Sequence, residues 1–177
     1  MFEIAISLNP KYAEAHFNLG CIFQDLEQKN SAIVSYKNAI EISPNYPEAH
    51  NNLGNIFRDI GDLKASIESF EWAIAYKHDF AEAHNNLGSA LNDFGRTEDA
   101  IQSFEKALTF KSDYPRALFN LALAYKEIGN KELSLKMIEK TLTLNSQWSD
   151  AHLELSRLKK YKKNDPQIPI IHDLMSN

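Results

Sequence analysis

The sequence predicts an all-α fold: a right-handed α-solenoid of helix-turn-helix repeats closed by a C-terminal capping helix. Three observations carry that prediction. First, the run Ala13-Glu14-Ala15-His16-Phe17-Asn18-Leu19-Gly20 returns as Pro47 to Gly54 and as Ala81 to Gly88, and more loosely as Pro115 to Ala122, each copy 34 residues after the last. Second, apolar residues inside a copy follow helical spacing. Leu87, Ala90, Leu91 and Phe94 mark a first helix, and Ala100, Ile101, Phe104, Ala107 and Leu108 a second. Third, Gly61, Gly95 and Gly129 fall between those two helices, where a left-handed C-cap turns the chain without steric cost.

Taken in chain order, residues 1–12 read as the remnant of a second helix, because Phe2 to Pro10 match only the latter half of one. Without its partner, a helix carrying Phe2, Ile6 and Leu8 presents an apolar edge, so self-association through this incomplete repeat is expected. Four repeats follow at 13–46, 47–80, 81–114 and 115–148. Asn45 with Glu48, and Asp79 with Glu82, have capping-box spacing at the start of the first helix, a pattern Arg116 breaks in the fourth copy. Glu27 stands where later copies have glycine, so the first turn is expected to be less sharply defined.

Small residues recur where two helices approach: Gly20, Gly54, Gly88 and Ala122 on the first helices, and Ala39, Ala73 and Ala107 on the second, with Thr141 in the last copy. Tyr12, Tyr46, Phe80, Tyr114 and Trp148 recur at the end of each period and are expected to fill the gap between hairpins. Residues 149–163 read as a capping helix, since Glu154 and Lys159 replace the Asn and aromatic of earlier copies. Arg157, Lys159, Lys160, Lys162 and Lys163 crowd its end, where cations complement the helix dipole. Asp165-Pro166 and Pro169 break the tail, 164–177.

This pattern resembles the tetratricopeptide repeat family, whose 34-residue helical hairpin has Leu-Gly, a mid-repeat aromatic, small-residue contacts and a late Pro. The late Pro survives as Pro10 and Pro44 but gives way to His78, Ser112 and Ser146. The resemblance implies first helices lining a concave groove that binds another polypeptide. The run from Asp79 to Gly88 is similar to the repeats of O-GlcNAc transferase, which carry an asparagine ladder at the position of Asn18, Asn52, Asn86 and Asn120. From Leu155 to Leu174 the chain resembles the connector of bacterial proteins in which such repeats precede a sulfotransferase domain, which implies a non-catalytic recruiting arm of a larger transferase as the alternative function.

The four asparagines are the candidate site. An amide offers both a donor and an acceptor, so it pairs with the N–H and C=O of an extended peptide whatever the peptide's side chains. With helix layers ~8 to 10 Å apart and an extended chain advancing ~3.3 Å per residue, four rungs grip roughly ten residues. Glu14, Glu48 and Glu82 precede the ladder by a turn, and Asp25, Asp59, Asp93 and Glu127 follow it, so the groove reads as polar and acidic. Phe17 and Phe119 at its ends are expected to add apolar contacts, and Asn55, Arg58 and Asn92 specificity. A partner with basic or polar side chains fits that lining. Phe17, Glu82 and Asn86 stand where repeats that hold acidic chaperone C-termini use Lys and Arg, so that specificity is not expected.

Composition narrows the rest. A net charge of -5, from 19 Lys and Arg against 24 Asp and Glu, opposes binding to nucleic acid. No apolar run approaches the ~18 residues needed to cross a bilayer, and the opening residues lack the basic stretch of an export signal. The lone Cys21 demands no oxidising compartment, and a cytoplasmic location is expected. His16, His50, His84 and His152 fall in register, yet one repeat apart is about 10 Å, whereas a shared zinc needs each imidazole at ~2.1 Å. They read as packed histidines, with no metal and no cofactor. No cluster of acid, base and nucleophile stands outside the repeat, so no enzymatic activity is expected.

Overall fold

The computed structural model describes residues 9–159. The expectations for residues 1–8, for Lys160, Lys162 and Lys163, for the tail and for most of the connector-like run lie outside the described residues. Among the described residues every regular element is helical: α1 (Ala13–Asp25), α2 (Lys29–Ile42), α3 (Pro47–Asp59), α4 (Leu63–Tyr76), α5 (Ala81–Asp93), α6 (Thr97–Phe110), α7 (Pro115–Glu127), α8 (Lys131–Leu144) and α9 (Ser149–Leu158). Lys159 is extended, which ends α9 at Leu158, short of the expected 163. The helices pair as antiparallel hairpins, and each second helix packs on the next first helix. Consecutive first helices, α3 with α5 and α5 with α7, also approach one another, more closely than consecutive second helices do. The stack therefore curves toward its first helices.

Helix starts differ from the capping-box expectation. Tyr46 and Phe80 are the N-cap residues of α3 and α5, and neither start has a side-chain cap. Glu48 and Glu82 still lie in the first turn, where a carboxylate favours the helix dipole. True side-chain caps occur on second helices, where Asp62 accepts from the Ala65 N–H and Asn130 from the Leu133 N–H.

All four intra-repeat turns share one geometry. Gly61, Gly95 and Gly129 have φ of 83°, 85° and 80°, and Glu27 takes φ 57° in the same place. Its N–H bonds the Gln24 carbonyl and the Gln28 N–H bonds that of Phe23, as Gly61 and Asp62 do in the next copy. The first turn is thus as well defined as the others, and the hydrogen bonds hold Glu27 in a conformation that its Cβ disfavours.

Inside each hairpin a ring lies against bare backbone. A Cβ on Gly20, Gly54 or Gly88 would sit 2.6, 2.7 or 2.6 Å from a ring carbon of Tyr36, Phe70 or Phe104, closer than carbon atoms can approach. In the fourth hairpin Ala122 faces the buried Ile138, so the extra methyl enters as the ring leaves. Ala39, Ala73 and Ala107 are fully buried behind these contacts. Thr141 takes the same position by bonding its hydroxyl to the Met137 carbonyl.

The closing aromatics behave differently at the ends and in the middle of the stack. Tyr46 stacks at 4.8 Å on Phe17 and Trp148 at 4.9 Å on Phe119. Phe80 and Tyr114 are instead covered by Lys77 and Lys111, while Tyr12 is exposed.

Two outcomes follow for stability in chemical denaturation. Gly88→Ala is expected to lose about 2 kcal/mol through overpacking, and Phe104→Ile in the same chain should recover at least ~1 kcal/mol of the summed loss. Glu27→Gly should gain about 1 kcal/mol by removing the left-handed strain, less the entropy of glycine.

Candidate functional site

The four ladder asparagines lie on α1, α3, α5 and α7, and the structure links three of them to other side chains. Asn86 Nδ2 donates to Asn51 Oδ1 at 3.0 Å, and Asn120 Nδ2 donates to Asn85 Oδ1 at 3.0 Å. Each bond crosses from one repeat to the one before. The acceptors, Asn51 and Asn85, are 2% and 1% exposed, and Asn86 itself is 8% exposed. Asn51 and Asn85 were not singled out from the sequence, although they precede ladder residues in the repeated run; a 34-residue register aligns equivalent positions and does not reveal bonds that join residues 35 apart.

At the ends of the ladder the partner changes because the acceptor column does. Phe17 occupies the position of Asn51 and offers no acceptor, and Asn52 Nδ2 instead donates to the Tyr36 hydroxyl at 3.2 Å. Tyr36 is the tyrosine in a column otherwise held by Phe70 and Phe104, and its hydroxyl donates in turn to Gln24 Oε1. Burial and the neighbouring Cys21 push its pKa up, so it stays a donor. Phe119 likewise offers no acceptor to the next rung, which is Glu154, bonded by Lys126 and Arg157. Asn18 bonds no side chain among the described residues.

The amide nitrogens of Asn52, Asn86 and Asn120 are therefore each engaged within the scaffold, and Asn86 Oδ1 also accepts from Asn85 Nδ2 at 3.3 Å. Phe17 and Phe119 are also committed, to Tyr46 and Trp148. Nor is the acidic lining uniformly free. Asp93 accepts from Arg58 Nε at 2.9 Å, Glu48 from Lys77 at 3.2 Å, and Glu82 from Asn51 at 3.4 Å. Asp59 is exposed and Asn55 half-buried, and neither side chain has a partner among the described residues.

One place on the first-helix face gathers unengaged polar atoms. A pocket of about 150 Å³ is lined by Arg58, Ser89, Asn92, Asp93, Asn120 and Leu123, with the Phe104 ring also contributing. Asn92 Oδ1 is sealed from bulk solvent and accepts no hydrogen bond. A buried acceptor without a donor is uncommon and is disfavoured unless something supplies one. Asn120 directs its amide nitrogen to Asn85 and Ser89, and among the described residues no side chain donates to its oxygen.

The histidines serve the scaffold. Nε2 of His16, His50, His84 and His152 lies 3.1, 2.9, 2.9 and 2.9 Å from the carbonyl oxygen six residues earlier, on Pro10, Pro44, His78 and Ser146. A carbonyl can only accept, so Nε2 carries the hydrogen. Each ring clamps an inter-repeat loop to the helix that follows. Among the described residues no three His, Cys, Asp or Glu side chains group as metal ligands.

Stacked helical hairpins joined by side-chain amides define a helical-repeat scaffold. Three stretches match the corresponding family, residues 22–59 described as TPR repeat and residues 51–115 and 115–147 as tetratricopeptide repeat, so most of the chain is covered. The chain belongs to the tetratricopeptide repeat family. It is similar to the crystal structure of MamA, with 26% identity, 84% of this chain and 87% of that one covered, and a TM-score of 0.77. It is similar to pilF of Pseudomonas aeruginosa, with 25% identity, coverage of 93% and 75%, and a TM-score of 0.82. YrrB, described as a TPR protein with an unusual peptide-binding site, shares the fold at 18% identity, with coverage of 98% and 89% and a TM-score of 0.78. No curated protein matches the chain in sequence. No helix among the described residues is long and apolar enough to cross a membrane.

Burial holds the pKa of His50 and His84 below the ordinary 6.5. Burial alone raises that of Glu154, but bonds from Lys126 and Arg157 outweigh it and hold it below the ordinary 4.5. A depressed pKa means the unfolded chain takes up the proton first, so both contributions are complete at high pH and are lost on acidification. Urea unfolding should show stability falling as pH drops below 6.5, then again below 4.5. His50→Leu with His84→Leu should flatten the first fall, since Leu118 already fills that register in the fourth repeat. Glu154→Gln should flatten the second and lose about 1 kcal/mol at neutral pH, read as faster amide exchange in α9.

Proposed function

We propose that the first-helix face binds an extended polypeptide, with the pocket around Asn92 and Asn120 as its central contact. Tetratricopeptide repeats are associated with protein-protein interaction, which is the coarse function this chain shares with its family. The observation that carries the finer reading is the sealed, donorless Asn92 Oδ1 in a pocket that Asn120 also lines. Because Asn92 Oδ1 is sealed as the pocket stands, its amide turns toward the pocket to meet the missing donor, a peptide backbone N–H or a polar side chain from the partner.

This reading modifies the ladder's role without discarding it. Asn86, donating to Asn51 and accepting from Asn85, holds the first helices in line, while the oxygens of Asn52 and Asn120, which accept no side-chain hydrogen bond among the described residues, are offered to the partner. The preferred partner is consequently rich in donors: backbone amides, amide side chains, or Lys and Arg facing Asp59 and the second oxygen of Asp93. The chain acts in this proposal as a scaffold and not as a catalyst. A recruiting arm of a larger transferase rests on the connector resemblance alone, and most of that run lies outside the described residues.

The test uses peptides selected on the chain from an unbiased array, with affinity read by fluorescence anisotropy. Asn92→Ala should weaken binding about tenfold, the equivalent of one well-made hydrogen bond, while the denaturation midpoint holds or rises because an unsatisfied buried acceptor has gone. Unchanged affinity for every selected peptide would refute this assignment.

A further inference from the structure

Three of the four repeats carry the histidine clamp, and comparing them exposes a difference. In the second repeat the His50 ring is covered by Tyr76, stacked at 5.6 Å, with Trp72 stacked on Tyr76 at 5.8 Å. In the third, His84 is covered by Phe110 at 5.4 Å. Both histidines are buried, as is His152, where Leu144 stands in the place of the ring. In the first repeat the matching residues are Asn38 and Ile42, 34 residues before Trp72 and Tyr76, and among the described residues no ring stacks on His16. His16 is only half-buried, and beside it opens a cleft of about 520 Å³ lined by Pro10, Lys11, His16, Asn38, Glu41 and Ile42.

We propose that this cleft is a binding site for the aromatic side chain of a tryptophan or tyrosine on a partner polypeptide, which stacks on His16 as Tyr76 and Phe110 stack on their own histidines. The same scaffold therefore already displays the bound state twice, with rings that the chain supplies itself. Planar rings at this separation gain from stacking as well as from area removed from water. Glu41 adds selectivity. Its counterpart in the second repeat is Ala75, and its exposed carboxylate, which has no ion-pair partner among the described residues, accepts a hydrogen bond from an indole N–H or a phenol O–H. Phenylalanine offers no such donor. The site is separate from the pocket at Asn92, being formed by the loop before α1 and the last turn of α2, so its occupancy does not depend on the reading proposed above.

The experiment follows the His16 ring and Ile42 methyl signals by NMR in the full chain during titration with the N-acetyl amides of tryptophan, tyrosine, phenylalanine and leucine. Saturable shifts are expected with tryptophan and tyrosine, weaker ones with phenylalanine and none with leucine. Asn38→Trp with Ile42→Tyr copies the second repeat and fills the cleft from within, so it should reduce the tryptophan response about tenfold. Glu41→Ala should erase the preference over phenylalanine while leaving stacking. The proposal is overturned if His16 fails to respond to tryptophan amide, or if leucine amide shifts it equally. It is overturned too if the filled variant, shown folded by circular dichroism, responds like the parent. Should that variant not fold, the comparison among the four amides decides alone.

Discussion

Everything in this molecule depends on an aromatic ring resting against a helix that has no side chain beneath it. Tyr36, Phe70 and Phe104 bring the second helix of each hairpin so near the first that even one methyl group would overlap the ring at Gly20, Gly54 or Gly88. That proximity sets the thickness of a hairpin and therefore the pitch at which hairpins stack. The fourth hairpin shows the rule from the other side, since exchanging the ring for Ile138 is accompanied by Ala122. The two positions form a unit, and a change at one is tolerated only with a change at the other.

Stacking between hairpins uses a different chemistry. Buried amides bridge α3 to α5 and α5 to α7, and such bonds are strong in a low-dielectric setting because neither partner has water as an alternative. Where the amide column ends, each terminal rung finds a substitute: a tyrosine hydroxyl at the first repeat, and two cations on Glu154 at the cap. The inner face that results is polar but rigid. Rigidity matters for recognition, since a surface ordered before contact loses little conformational entropy on binding.

Much of this architecture was legible from periodicity. A 34-residue recurrence with helical spacing leaves little alternative to stacked hairpins, and the small-residue columns, the turn glycines and the scaffold role of the histidines could be read directly. What escaped was everything that depends on an individual atom. The ladder asparagines aligned correctly, yet their amide nitrogens turned out to be held by Asn51, Asn85 and Tyr36, because inter-helix bonds run diagonally to the repeat. Glu27 looked like a flaw in the first turn, but two backbone hydrogen bonds impose on it the same left-handed shape as glycine. Asn45 and Asp79 had the spacing of a cap, whereas the helices begin one residue later, after an aromatic that packs instead of capping. Asn92 was placed in the groove by its register, but nothing in the sequence showed that its oxygen would lack a donor, since an orphaned acceptor is a property of surroundings and not of residue type.

The loop clamps bear on how the rod holds together. Histidine ties the chain to the next helix at the entry to the first, second and third hairpins and to the closing helix, but Leu118 occupies that register at the fourth and, buried as it is, can only pack. At that entry the loop is held by apolar packing in place of a polar tie, and α6 and α7, the helices it joins, lie at least as close together as those at any other junction between hairpins. Losing the tie there leaves the stack itself intact.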